Sequence, residues 1–297
     1  MWLVVALALP FRLLRERRPP PAAAPSTSET ATPMQRPTTY LTGVSNDTTR
    51  HLARGDYHGR LGVLIGPATG GTPGAKDDYS EHITDYHAWG ADNGCFTNAG
   101  AFNETEWLAM LDRIVNTIDG AWNSCLFAVA PDVYDPIAER GEALPTIERA
   151  LPVFPKIRAL GIPAAMVLQD GIEDHIDQIP WNEFDVAFVG GSDEFKLGYP
   201  SQIKQGSPMY RRTIDERTEQ WAKLIWECYE HGKPVHIGRV NSAARLRFAQ
   251  AIGASSADGT FLRFAGTTAG TARLTKWLDQ TQLDQTQLAP TPHHAAA

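Results

Sequence analysis

The sequence predicts a single (β/α)8 barrel, the TIM-barrel form of the α/β class. Three observations favour this fold. The chain has 297 residues, 42% of them hydrophobic, which is enough for one large domain with a single core. It contains eight short apolar or β-branched runs bounded by Gly, Pro and Asp. Helical patterns lie between several of these runs, and such alternation is typical of parallel strands covered by helices.

The eight candidate strands begin at residues 39, 61, 87, 125, 163, 185, 234 and 255. In chain order they are TYLTGV, LGVLIG, HAWGAD, CLFAVAPD, PAAMVLQD, DVAFVGG, PVHIGRV and SSADGTFL. Helical periodicity predicts helices over 104–119, 146–160, 213–231 and 242–252. Asn103 and Glu106 have the spacing of a capping box, and Gly253 follows the last helix where a C-terminal glycine is expected.

The predicted barrel domain covers residues 38–279. Residues 1–37 are expected to be a disordered or non-native extension, because 19–37 are rich in Pro, Ala, Ser and Thr. Either Met1 or Met34 could be the native start. Residues 280–297 repeat DQTQL and then become small and polar, which predicts a flexible tail. The apolar N-terminal run is too short to span a bilayer, and basic residues follow it, so we expect no membrane association and a cytoplasmic protein.

The cysteines indicate neither a metal site nor a disulfide framework. Cys95, Cys125 and Cys228 are far apart, with no CxxC pair, so we expect no zinc and, more generally, no metal or cofactor. Unpaired cysteines also fit a reducing cytoplasm. The net charge of −7 excludes a protein coated in basic surface, so any nucleic-acid site must be a local patch.

Polar residues collect where the predicted strands end. In a TIM barrel the active site lies at the C-terminal ends of the strands, so polar residues at these positions are candidates for catalysis or binding. Any one acid there could instead cap a helix or a turn, but several at the same face favour a site. His236, inside a strand, is expected to be a core residue. The strand ends supply Asp92, Asp132, Gln169, Gly190, Gly191, Arg239, Asn241 and Asp258.

Five motifs in fixed order carry a resemblance to a known family. They are ADNGCF (91–96), the Asp132 of AVAPDVYD, LQDG (168–171), the Gly190-Gly191 of FVGGSDEFKLG, and GASSAD (253–258). Together they resemble the tRNA-guanine transglycosylase superfamily, and most closely the phage-type enzymes that put 7-deazaguanines into DNA. The resemblance extends over residues 39–277. It implies a (β/α)8 barrel that lacks the family's zinc subdomain, because the zinc cysteines are missing.

The resemblance also implies roles for individual residues. Asp258, which ends GASSAD, matches the family's nucleophile, and Asp132 and Gln169 match the residues that bind the purine. Gly190 and Gly191 match the pair that approaches the base. Two departures matter: Val133 replaces the acid that follows the purine-binding Asp, so selectivity for the incoming base is in question, and Arg263 is offset by one from the family's Arg and receives no role.

The chemistry of base exchange fits the acids that the strand ends supply. Cleaving a glycosidic bond builds positive charge at the anomeric carbon, and a carboxylate such as Asp258 can attack there and hold the sugar. A second carboxyl must protonate the leaving base and deprotonate the incoming one, and we expect Asp92 to do so. Phe96 is expected to lie against a face of the base. The alternatives stay open: Phe96 could be a core aromatic, and Asp132 could cap the segment after Pro131.

A basic stripe follows the Gly-Gly motif and predicts contact with nucleic acid. Between Lys204 and Arg247 there are nine Lys and Arg residues against five acids. Lys204, Arg211, Arg212 and Arg239 are expected to follow the phosphate backbone, although part of the stripe could be a solvated helix face. Reaching a guanine inside a duplex would require base flipping.

The predicted function is therefore exchange of guanine in DNA for a 7-deazaguanine derivative, with DNA and the free base as partners. DNA is favoured over tRNA because the zinc-held insert that supports tRNA binding is absent. A tRNA-guanine transglycosylase, a barrel glycosidase or nucleoside hydrolase, and a non-catalytic barrel that binds purine or nucleic acid are the alternatives. The identity of the 7-deazaguanine, the sequence context and the oligomeric state stay open, with a homodimer among the options, and a phage-encoded enzyme would act in the host cytoplasm.

Overall fold

The computed structural model describes residues 37–67, 79–95, 101–135, 137, 140–197 and 208–288. Within these ranges, eight parallel strands form a closed barrel, and two short strands form an antiparallel hairpin. The strands are β1 (Thr39–Thr42), β2 (Leu61–Ile65), β3 (Trp89–Ala91), β4 (Cys125–Val129), β5 (Tyr134–Asp135), β6 (Arg140–Gly141), β7 (Ala164–Leu168), β8 (Val186–Val189), β9 (Val235–Ile237) and β10 (Ser256–Gly259).

The barrel follows chain order and closes where the last strand pairs with the first. Its order is β1-β2-β3-β4-β7-β8-β9-β10, and β10 returns to β1 with Leu41 opposite Asp258. The β5–β6 hairpin lies outside this order, in the connection after β4. All eight runs predicted as strands contain a barrel strand, so the predicted (β/α)8 fold is confirmed.

The helices lie in the connections between barrel strands and after the last one. They are α1 (Asp47–Arg54), α2 (Glu104–Thr117), α3 (Ala121–Ser124), α4 (Ala143–Ala150), α5 (Phe154–Ala159), α6 (Asp193–Leu197), α7 (Pro208–Glu230), α8 (Ala243–Ala251), α9 (Phe261–Ala265) and α10 (Thr267–Leu288). Asn103 caps α2 by accepting from the Glu106 amide, and Ser242 caps α8 by accepting from the Arg245 amide.

Two predicted helices differ from the structure. The single helix expected over 146–160 is two helices, α4 and α5, separated at residues 151–153. Pro152 lies at this break and Pro155 lies in the first turn of α5; a proline has no amide hydrogen, so it is tolerated in a first turn and interrupts a helix elsewhere. The helix expected from residue 213 begins earlier, at Pro208, a residue type that favours helix starts.

The barrel interior is filled by a small apolar cluster that is separate from the layer between the strands and the helices. Leu41, Phe127, Val129, Ala165, Val167 and Val186 form this cluster. Gly90 makes room for it, because a Cβ there would lie 2.8 Å from the Phe127 ring. His236 is fully buried and packs against the Phe127 and Phe188 rings, with centroids 4.6 and 4.5 Å away. This packing places a polar ring directly beneath the mouth of the barrel.

The last helix, α10, continues through residues 280–288, the first part of the predicted tail. Residues 1–36 and 289–297 lie outside the described residues, so the predicted domain boundaries stay predictions. Across the described ranges, no helix combines the length and the apolar character needed to cross a membrane.

Candidate active site

The fold brings most of the predicted site residues to one end of the barrel. Because the strands are parallel, the residues that follow them share the same rim. Asp92 follows β3, Asp132 follows β4, Gln169 follows β7, Gly190 and Gly191 follow β8, Arg239 follows β9, and Asp258 lies in β10. We use the name carboxyl mouth for this rim, after Asp92, Asp132 and Asp258.

Asp258 is held at the mouth by donors that contact only one of its oxygens. His236 Nε2 lies 3.0 Å from Oδ1, and the Arg239 amide donates to the same oxygen over 3.4 Å. Ser256 Oγ lies 2.8 Å from the other ring nitrogen, Nδ1, of His236. Among the described residues, Oδ2 has no donor, and the side chain keeps 7% of its surface exposed. The geometry therefore orients the carboxylate and leaves Oδ2 available to a substrate.

His236 fulfils the prediction that it is a core residue, but it also contacts the proposed nucleophile. Its ring joins Ser256, deeper in the barrel, to Asp258 at the mouth. Donation from Nε2 to the carboxylate requires that Nδ1 accept from the serine hydroxyl when the ring is neutral. The ring thus fixes the rotation of Asp258 in a fully buried setting.

Asp92 has the electrostatics of a group that exchanges protons near neutral pH. Burial raises its pKa to about 6, and the negative charges of Asp258 and Asp132 act in the same direction. The Gly94 amide, which donates to Oδ1 over 3.0 Å, opposes this rise. The Trp107 ring donates to the Asp92 carbonyl and fixes the backbone. Asp92 is therefore coupled electrostatically to both other acids of the carboxyl mouth.

Asp132 is 9% exposed and sits in a network built from the neighbouring strand end. Asn93 donates from Nδ2 to Asp132 Oδ1 over 2.9 Å and to the Ala130 carbonyl over 2.8 Å. Burial raises the pKa of Asp132, whereas its hydrogen bonds to Asn93 and Cys95 and the charge of Arg149 lower it. Arg149 also donates to the Asp132 carbonyl over 2.7 Å. The network links the ends of β3 and β4 and orients the carboxyl.

Gln169 is almost completely enclosed by the β5–β6 hairpin. It is 1% exposed, and its Nε2 donates to Thr146 Oγ1 over 2.6 Å and to the Val133 carbonyl over 3.0 Å. Gly141 in the hairpin lies so close that a Cβ there would be 2.0 Å from Gln169 Oε1. The donor side of this amide is therefore occupied by protein in the structure.

The Gly-Gly loop is clamped by an acid. Gly191 has a φ of +75°, which favours glycine, and a Cβ there would lie 2.5 Å from Asp170 Oδ2. The same Oδ2 accepts from the Ser192 amide over 2.8 Å, and Oδ1 accepts from the Ser192 hydroxyl. The Gly190 amide donates to the Leu168 carbonyl. Gly191 is therefore the residue of the pair whose amide can serve a ligand.

The side chains of four predicted site residues lie outside the part of the chain that the structure describes. Phe96 and Lys204 lie outside the described residues. Arg211 and Arg212 lie in α7, but their side chains also lie outside the described part. Their predicted roles stay predictions.

The structure adds three residues that sequence reasoning did not assign to the site: Asn93, His236 and Lys196. Lys196 is a buried lysine in α6, next to the Gly-Gly loop. A lysine that follows a glycine pair gives no sequence signal of burial. In the described residues, no group of three or more His, Cys, Asp or Glu side chains could hold a metal ion.

Comparisons with known proteins identify no relative from which the chemistry of this site can be inferred. No protein-family model and no curated protein matches the chain. Among solved structures, a "Native KDPGal structure" has 13% identity and a TM-score of 0.46, covering 84% of this chain and 96% of the other.

Two further solved structures show a similar degree of likeness. A putative dihydrodipicolinate synthetase from Pseudomonas aeruginosa has 17% identity, a TM-score of 0.41 and coverages of 76% and 80%. A tryptophan synthase complex from Pyrococcus furiosus has 11% identity, a TM-score of 0.40 and coverages of 84% and 97%. Sequence identities and TM-scores this low do not indicate a reaction for this chain.

Proposed function

We propose that the protein is a guanine transglycosylase that exchanges guanine in DNA for a 7-deazaguanine derivative. The observation that carries the proposal is the carboxyl mouth itself. It contains an oriented carboxylate, Asp258, whose negative charge raises the pKa of a second acid, Asp92. A third acid, Asp132, lies on the same rim and also raises the pKa of Asp92. The motif resemblance described above supports the same assignment.

In the proposed reaction Asp258 is the nucleophile. Its Oδ2 forms a bond to the anomeric carbon of the sugar while the bond from that carbon to the guanine nitrogen breaks. The result is a covalent sugar–enzyme ester and a free base. The incoming base then attacks the same carbon, and the bond to Asp258 breaks. The donors on Oδ1 keep the carboxylate in one orientation through both steps.

Asp92 is the proposed proton carrier. It gives a proton to the departing guanine and takes one from the nitrogen of the incoming base, so that it ends each cycle as it began. A pKa of about 6 leaves roughly a tenth of the molecules protonated at pH 7, so both forms are populated. An acid with an ordinary pKa would be almost fully ionised and would supply the proton less often.

The purine is proposed to lie between the networks that follow β4, β7 and β8. Asp132 faces its edge, and the Gly191 amide donates to it from the loop that Asp170 holds in place. Gln169 is 1% exposed, with the Gly141 backbone against its Oε1 and protein acceptors on its Nε2, so it can contact the purine only after the hairpin has moved away from it. Phe96, Lys204, Arg211 and Arg212 keep the roles that the sequence predicts for them, stacking on the base and following the backbone.

A trapped intermediate tests this proposal. Incubating the protein with labelled guanine-containing duplex in the absence of an incoming base should give a slower band on a denaturing gel. Asp258→Ala should abolish this band and base exchange while binding to the duplex persists, because only the covalent step needs the carboxylate. Asp119→Ala, at an exposed turn, is the matched control. An Asp258→Ala protein that exchanges bases would refute the assignment.

A further inference from the structure

Among the residues that the structure describes, the buried ammonium of Lys196 has no anionic partner closer than 3.7 Å. Its side chain is 5% exposed, and its Nζ contacts are the Gly238 carbonyl at 3.4 Å and Asp193 Oδ1 at 3.7 Å. Charge-assisted hydrogen bonds of an ammonium normally measure about 2.7–2.9 Å. Burying an ammonium costs free energy unless it is paired. The two long contacts therefore leave much of this cost without compensation.

The register of the barrel places this ammonium beside the proposed nucleophile. His236 pairs with Ser256 and Ile237 with Ala257, so the next residue of that strand end, Gly238, is level with Asp258. Neighbouring strands are about 4.8 Å apart. The Gly238 carbonyl that Lys196 contacts is thus one strand away from the carboxylate that would attack the sugar.

Two guanidinium groups lie close enough to Lys196 to act on its charge. Asp193 and Asp258 are the anions that act on it, and Arg239 and Arg245 are the neighbouring cations. Arg245 donates to Asp193 Oδ2 over 2.8 Å, so it satisfies that acid from the opposite side. Lys196, Arg239 and Arg245 therefore bring three cationic groups to this point of the rim.

The backbone that carries one of these cations is also unusual. Arg239 has a φ of 61°, a backbone conformation that residues with side chains rarely adopt and that is often found at functional sites. Its amide donates to Asp258, and Arg245 Nη1 donates to its carbonyl over 3.2 Å. These contacts hold Arg239 between the nucleophile and the Arg245–Asp193 pair.

We propose that Lys196, Arg239 and Arg245 form an anion site for the phosphodiester group beside the nucleotide whose sugar faces Asp258. This inference rests on the proposed function and deepens it. A phosphodiester carries one negative charge, and its two non-bridging oxygens accept hydrogen bonds from ammonium and guanidinium groups. In a nucleotide the phosphate is joined to the sugar whose anomeric carbon would face Asp258, and Gly238, which Lys196 contacts, lies on the strand beside Asp258.

The charge state of Lys196 gives the site a pH dependence. Burial lowers the pKa of Lys196 to about 8, and Arg239 and Arg245 add to this, while Asp193 and Asp258 oppose it. The ammonium is present below this value and is lost as the pH rises through it. Binding of a phosphate should therefore weaken above pH 8 in the wild-type protein, whereas an arginine at this position would stay charged.

A binding measurement tests the site without any base exchange. The probe is a labelled duplex with one tetrahydrofuran abasic site, which keeps the phosphates and has no glycosidic bond to cleave. Lys196→Met should raise its Kd about tenfold or more and reduce the salt slope by about 1. Lys196→Arg should retain affinity and lose the weakening above pH 8. Lys156→Met, which removes an exposed partner of Glu104 elsewhere, should change neither quantity.

The outcomes separate this site from the proposed function. An unchanged Kd and salt slope in Lys196→Met would overturn the anion site even if base exchange is observed. A raised Kd in a protein that exchanges no base would support the anion site and refute the transglycosylase assignment. Deoxyguanosine 5′-monophosphate is the second probe: if Lys196→Met weakens its binding and leaves the duplex unaffected, the site takes a mononucleotide phosphate and the DNA-backbone assignment is wrong.

Discussion

Replacing Asp92 by Asn should stabilise the folded protein at pH 8 while it removes base exchange. Asn has nearly the same shape and retains an Oδ1 that can accept from the Gly94 amide. It cannot ionise, so it avoids the cost of a partly buried charge, and it cannot carry a proton. The same substitution therefore separates the stability of the site from its chemistry.

The size of the effect follows from the pKa of Asp92, about 6 in the folded protein against an ordinary value of 3.8. A difference of about 2 units corresponds to about 3 kcal/mol at 1.4 kcal/mol per unit. The folded state binds the proton more tightly than the unfolded state. The stability that this gives is fully present below pH 3.8 and is lost as the pH rises through 6, so the advantage of Asn grows from near zero to about 3 kcal/mol.

The assay is urea unfolding followed by tryptophan fluorescence, near pH 4 and near pH 8, for the wild type and Asp92→Asn. Asp119→Asn is the control, because its side chain is exposed and the substitution should change stability by less than about 0.5 kcal/mol at either pH. A gain that is equal at both pH values, or a loss at pH 8, would refute the reasoning that burial raises the pKa of Asp92.

Two further substitutions test other parts of the account. Replacing Arg211 and Arg212 together by Ala should weaken duplex binding for all sequences and flatten the dependence of Kd on salt, because phosphate contacts are lost. An unchanged salt slope in a binding titration would show that α7 does not contact the duplex. Gly141→Ala should lower the free energy of unfolding in urea by about 1–3 kcal/mol, because its Cβ would overlap Gln169. The control is Gly43→Ala, whose Cβ would lie 3.8 Å from the nearest atom and which should lower it less. Equal losses of stability would contradict the close packing of the hairpin.

The strands and the acids of the mouth were predictable because both depend on local pattern. Each barrel strand is a short apolar run with a Gly, Pro or Asp boundary, and the parallel arrangement places every strand end on one rim. Asp92 follows its strand directly and Asp258 lies near the end of its own, so their meeting required only the fold class. Pro152 and Pro155 also indicate the division between α4 and α5. A single helix was predicted because the helical periodicity continues across these prolines.

Other features of the site depend on contacts between distant segments. Lys196 is buried because α6 places its side chain against Gly238, a contact that spans 42 residues. Gln169 is enclosed because a hairpin of two-residue strands folds over it, and strands this short have no periodicity to recognise. His236 has the pattern of a core residue, and only the pairing of β9 with β10 shows that it contacts Asp258.

Base incorporation measures the central claim most directly. Purified protein is offered duplex DNA and unmodified tRNA side by side, with labelled 7-deazaguanines that carry a cyano, aminomethyl or formamidino group, and the label in each polymer is counted with the guanine released. The account predicts that label enters DNA in equal amount to the guanine that leaves it. Label in tRNA and not in DNA would contradict the assigned polymer, and guanine release without any incorporation would show a hydrolase in place of a transglycosylase.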